Sequence, residues 1–105
     1  MGPRLTLLAL FAPMSIVLPA LASETIRVTI DKLKFEPAEV SAHVGDTIEW
    51  VNADFVVHTA TARDGAWDIL IPANATKSVV LKTEGTVDYY CRLHPNMTGR
   101  ITVTK

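Results

Sequence analysis

Tyr90-Cys91-Arg92-Leu93-His94-Pro95-Asn96-Met97 lies between two stretches with strand-like alternation, Thr86–Tyr90 before it and Gly99–Thr104 after it. A loop that leaves one strand and enters the next can curl its side chains around one small centre. The loop holds the only cysteine of the chain, and Cys91, His94 and Met97 fall three residues apart. Thiolate and imidazole are good ligands for copper or zinc, and a thioether is a soft ligand that suits copper. The spacing makes this loop a candidate donor of three metal ligands. The two flanking strands are expected to lie side by side, with the loop at one end of the sheet they share.

Working outward, the 105 residues make one domain at most. Residues 1–22 have the order of a secretory signal peptide: Arg4, an apolar run from Leu5 to Leu18, then Ala20-Leu21-Ala22 as a small-x-small cleavage site. The alternative is a retained membrane anchor. The mature domain is expected to be residues 23–105, exported to the periplasm. Without Arg4 it has nine Lys/Arg against eleven Asp/Glu, a net charge of −2. That balance lacks the basic footprint of a nucleic-acid binder and is not that of a disordered acidic chain. A lone thiol in an oxidising compartment is a liability unless it is buried, paired with another chain or bound to metal.

The rest of the domain reads as strands and turns. Ile26, Val28 and Ile30 alternate, as do Ile48 and Trp50 in Thr47–Asn52. Val40–Val44, Lys77–Lys82, Thr86–Tyr90 and Gly99–Thr104 complete the clear strands, and Pro37 points to an edge or a bend. Phe55–Ala62 is β-branched and apolar with His58 in its middle. Trp67–Ile71 reads as loop with one short strand at most. Asp31-Lys32, Gly45-Asp46, Arg63-Asp64-Gly65 and Thr83-Glu84-Gly85 are turn signals. No stretch has a helical period. The expected fold is all-β, a Greek-key antiparallel β-sandwich of about seven to eight short strands.

A fourth ligand must come from outside the loop. His43, between Ala42 and Val44, reads as a strand histidine with its ring in solvent. His58 alone reads as a core histidine bonded to backbone, but beside the Cys91 loop it becomes the candidate partner. Two imidazoles, one thiolate and a weak axial Met form the trigonal site of electron-transfer copper proteins.

The sequence resembles the small type 1 (blue) copper proteins of the plastocyanin/amicyanin group, the cupredoxins. The match is carried by Phe35-Glu36-Pro37, Gly45-Asp46-Thr47-Ile48-Glu49-Trp50-Val51-Asn52, His58, and Tyr90 to Met97 followed by Gly99. The two-residue gaps from Cys91 to His94 and from His94 to Met97 are the short form of the ligand loop, most like amicyanin. The resemblance implies one copper ion, cycling between Cu(I) and Cu(II), on His58, Cys91, His94 and Met97. It also implies an electron carrier and no enzyme. The implied partners are redox proteins, a dehydrogenase or a cytochrome, docking near an exposed His94 edge ringed by Leu93, Pro95, Asn96 and part of Ile69–Pro72. No nucleic acid and no membrane are expected for the mature form, which is read as a monomer. Arg92 and Arg100 flank the loop and read as solvated charges, with a basic docking rim as the rival reading.

Two departures stand out. Thr59 occupies the place where better-known members commonly carry an Asn that ties the two ligand loops together, and the span from His58 to Cys91 looks trimmed. The backbone N–H of Thr59 remains available to the Cys91 sulfur. Rival functions use the same residues: copper storage or delivery, a structural zinc site, a cysteine-based enzyme, or a metal-free immunoglobulin-type sandwich. Met is a poor zinc ligand, a nucleophilic cysteine needs a base and an oxyanion site, and no Cys…Trp…Cys pattern exists here.

Overall fold

The computed structural model describes residues 22–105 together with residues 2, 3 and 13. The expected signal segment lies almost wholly outside the described residues. Among those described, no helix is long and apolar enough to cross a membrane.

Among the described residues nine strands form two sheets: β1 (Thr25–Asp31), β2 (Lys34–Glu36), β3 (Glu39–His43), β4 (Thr47–Asn52), β5 (His58–Ala62), β6 (Asp68–Ile71), β7 (Thr76–Val80), β8 (Gly85–Cys91) and β9 (His94–Thr104). One sheet has the order β2-β1-β4-β7 and the other β3-β9-β8-β5-β6. The expected all-β sandwich is present, with one more strand than the alternation suggested. The extra strand is β2, at the Phe35-Glu36-Pro37 stretch that read as an edge or a bend, while the short strand allowed for in Trp67–Ile71 is β6, which pairs antiparallel with β5.

Both sheets are mixed, not antiparallel throughout as expected. β1 pairs parallel with β4, and β3 pairs parallel with β9, while the other pairings are antiparallel. The cause is the path of the chain. β1 and β2 form a hairpin, β2 stops at Glu36 before Pro37, and β3 pairs in the second sheet. The return to the first sheet brings β4 alongside β1 in the same direction. Local alternation says which face a residue takes but not which distant strand it will meet.

Period-two patterning puts Val28, Ile30, Ile48 and Trp50 of the first sheet against Val40, Ala42, Ala60, Ile71, Tyr89, Ile101 and Val103 of the second. Trp50 and Tyr89 are both fully buried, and the Trp50 indole N–H donates to the Tyr89 hydroxyl at 3.3 Å. Burial pushes the Tyr89 hydroxyl pKa up to about 12, so it stays protonated at any physiological pH. Gly99 lies against that ring: a Cβ there would sit 2.3 Å from Tyr89, closer than any side chain tolerates. Tyr89 and Gly99 face each other across β8 and β9, next to the ligand-bearing turn.

Candidate metal centre

β4 and β5 are joined by residues 53–57. The expected strand from Phe55 begins only at His58, and Phe55 to Val57 are exposed. Asn52 explains the shape of this connection. Its side-chain NH₂ lies 2.9 Å from the Val56 carbonyl, 3.1 Å from that of Ile71 and 3.2 Å from that of Pro72. Its Oδ1 accepts the Asp54 N–H at 3.0 Å. A single buried amide thus fixes the loop before His58 and ties it to the end of β6. Leaving such groups unpaired would cost roughly 1–3 kcal/mol each.

Asp54 orients His58. The Lys32 N–H donates to its Oδ1 at 2.7 Å and the Leu33 N–H to its Oδ2 at 3.1 Å. Lys32 and Leu33 both have positive φ, 51° and 61°, and consecutive left-handed residues aim their N–H groups at one anion. Partial burial works to raise the Asp54 carboxyl, but the N–H groups of Leu33 and Lys32 and the His58 ring outweigh it. The group is held below the usual carboxylate range. An ionised carboxylate can only accept. The His58 Nε2, 2.8 Å from Asp54 Oδ2, therefore carries the proton. This leaves a lone pair on Nδ1, directed inward from a fully buried ring.

The other donors come from the β8–β9 turn. β8 ends at Cys91, β9 starts at His94, and these two residues pair across a turn of Arg92 and Leu93. Cys91 Sγ lies 3.6 Å from His94 Nδ1 and 3.8 Å from His58 Nδ1, and the two Nδ1 atoms are 3.1 Å apart. All three donor atoms fall within 4.8 Å of one another. Met97, also buried, belongs to the same core cluster as Cys91. The Thr59 N–H donates to Cys91 Sγ at 3.3 Å, as the sequence suggested. Thr59 Oγ1 accepts the Arg92 N–H at 2.8 Å, so the short hydroxyl does tie the two loops. A buried cysteine, two converging imidazoles and a buried methionine three residues beyond His94 fit the ligand set of a type 1 copper ion.

The other expectations divide. His43 is exposed, away from the donors. Leu93, Pro95 and Asn96 are exposed and His94 is half-buried. Of the Ile69 run, Leu70 is exposed, Ile71 is fully buried and Ile69 packs on the core. Arg92 pairs with Asp68 at 3.0 Å and Arg100 with Asp88 at 2.7 Å, so neither presents an unpaired basic charge at the rim. Sequence reasoning missed Asp54. An acid four residues before a ligand histidine was the available signal.

A cupredoxin-like domain model matches residues 4–103. The chain belongs to the cupredoxin family. This cupredoxin is 33% identical over 82 residues to amicyanin-alpha of Methylorubrum extorquens, covering 72% of this chain and 69% of that one. It is 38% identical over 95 residues to the methylamine utilization protein MauL of the same organism, covering 87% of this chain and 82% of the relative. Among solved structures, the Cu(I) form of a methionine-to-alanine variant of amicyanin superposes with a TM-score of 0.68 at 30% identity, covering 79% of this chain and 85% of that one. Cupredoxins of the amicyanin type are electron carriers rather than enzymes.

Proposed function

We propose that this cupredoxin holds one type 1 copper ion on His58, Cys91, His94 and Met97 and carries single electrons between redox proteins in the periplasm. The observation that carries the reading is the convergence of His58 Nδ1, His94 Nδ1 and Cys91 Sγ in a site whose sulfur already accepts the Thr59 N–H. Bound copper supplies a one-electron couple. The chain supplies donors that move little, because each is fixed by strands or by side-chain hydrogen bonds. His58 is locked by Asp54, and Cys91 and His94 sit at the paired ends of β8 and β9. Pro95 has no N–H to offer the sulfur, which leaves the Thr59 N–H as the donor whose strength bears on the potential.

Docking near His94 fits the exposed apolar side chains at this end, Leu93 on the turn and Phe55 on the loop before His58. The MauL relative, a methylamine utilization protein, makes an amine-oxidising dehydrogenase and a cytochrome reasonable donor and acceptor classes. Export rests on the Arg4 to Ala22 pattern.

Voltammetry of the copper-loaded mature chain tests the reading. A reversible one-electron wave, unchanged over repeated cycles, is expected. Loss of copper on reduction would instead make the protein a copper store or delivery protein.

A further inference from the structure

Thr59 and Thr61 lie two residues apart on β5 and so share one face of the strand. Both are buried. Their hydroxyls are 2.9 Å apart, and the Thr61 hydroxyl reaches Asp68 Oδ1 at 2.8 Å. Asp68 opens β6 directly opposite Thr61 in the pairing register. The same Oδ1 also accepts the Arg92 guanidinium Nε–H at 3.0 Å. The backbone N–H of Arg92 donates to Thr59 Oγ1 at 2.8 Å. The bonds close a ring: Arg92 N–H to Thr59, Thr59 to Thr61, Thr61 to Asp68, and Arg92 Nε–H back to Asp68.

The direction of each bond in the ring is fixed by one member. The Thr61 hydroxyl and the Arg92 guanidinium hold the Asp68 carboxyl below the usual carboxylate range, so it is ionised and accepts only. A threonine hydroxyl has one proton. Thr61 spends it on Asp68 and must accept from Thr59. Thr59 in turn gives its proton to Thr61, which turns its lone pairs toward the Arg92 N–H. The backbone N–H of the same Thr59 donates to Cys91 Sγ. Thr59 therefore clasps two consecutive residues of the turn, the sulfur of one and the amide of the next.

We infer that Asp68, acting through Thr61, is a positioning residue for the thiolate side of the metal centre. It sets the polarity of the hydroxyl pair that holds Arg92 and keeps the Cys91 sulfur against the Thr59 N–H. A side chain at the surface end of β6 thereby reaches the strength of the hydrogen bond on the sulfur without touching a ligand.

Two measurements test this, and only the second rests on the copper reading. In metal-free protein, Thr61→Val keeps the shape of the side chain and removes the hydroxyl. Amide hydrogen exchange at Arg92 should then quicken by about tenfold, the effect of losing one buried hydrogen bond. Exchange at Val28 and Trp50 should stay at the wild-type rate, and Thr61→Ser should restore the Arg92 value. In copper-loaded protein, Thr61→Val and Asp68→Ala should both lower the reduction potential, because a weaker hydrogen bond leaves more electron density on the sulfur and favours Cu(II). Thr61→Ser should return it to that of wild type. The inference is overturned if Arg92 exchanges at the wild-type rate in Thr61→Val, or if all slow amides accelerate together. An unchanged potential in both variants of a copper-binding protein would also overturn it. Should copper not bind, the exchange measurement alone decides.

Discussion

Two aspartates close opposite ends of the β1–β4 pair in the same manner, and only one of those ends gathers metal donors. Asp46 accepts the N–H groups of Glu24 and His43 at 2.9 and 2.8 Å. Asp54 accepts those of Lys32 and Leu33 at 2.7 and 3.1 Å. Each has a histidine beside it. His43 Nδ1 is 3.8 Å from Asp46 and the ring is 61% exposed, whereas His58 Nε2 is 2.8 Å from Asp54 and the ring is fully buried. His43 ends β3, an edge strand that alternates outward at that position. His58 begins β5, an interior strand next to β8, and points inward with Ala60. A carboxylate that closes a loop is thus a structural device found at both ends. A metal centre needs, in addition, inward-facing donors at the ends of adjacent interior strands.

The largest effect expected on this contrast belongs to a residue that serves both ends. Trp50 fills the interior midway along β4, and Trp50→Ala should cost about 3–5 kcal/mol. Urea unfolding of metal-free protein should show the loss, with amides at both ends exchanging faster together. Protection lost at one end only would show that the two ends are not joined through β4.

Asp54→Asn sharpens the contrast at the donor end. The amide still accepts the turn N–H groups in part but no longer fixes the proton on His58 Nε2. Copper affinity should fall by about 10–100-fold, as for other groups that orient a ligand histidine. Competition against a chelator of known affinity measures it, and an unchanged affinity would detach Asp54 from the centre.

Asp46→Asn should act on stability and leave copper affinity alone. The N–H groups of Glu24 and His43 hold the Asp46 carboxyl below its ordinary value. Its contribution is therefore fully present above the unfolded value of about 3.9 and is lost as pH falls through the lower, folded value. Urea midpoints of metal-free wild type should drop on acidification below about pH 4, and those of Asp46→Asn should drop less. His43→Ala gives the smallest effect, within about 0.5 kcal/mol in stability, with copper stoichiometry unchanged.

The difference between the two ends also marks how far the sequence alone could reach. Alternation in β1, β4 and β9 was legible because each strand buries one face, and the Cys91 spacing was legible because all three residues lie close together in the sequence. The parallel pairing of β1 with β4 was not, since register between strands distant in sequence leaves no local mark. His58 was picked out only in company with Cys91. Its neighbours Phe55 and Val56 look like strand residues, and the exposed loop they form depends on Asn52 reaching back to the Val56 carbonyl. Thr59 looked like a loss against the expected Asn. The structure shows its hydroxyl making the tie, because Thr61 and Asp68, remote from any recognised motif, supply what a shorter side chain lacks.

The central claim is that His58, Cys91 and His94 converge on one copper ion with Cys91 as its thiolate. The most direct test is the visible spectrum of the purified mature chain titrated with Cu(II). An intense blue thiolate-to-copper band should grow to saturation at one copper per chain, and Cys91→Ser should abolish it. A wild-type protein that binds copper without that band, or does not bind it at all, would contradict the account.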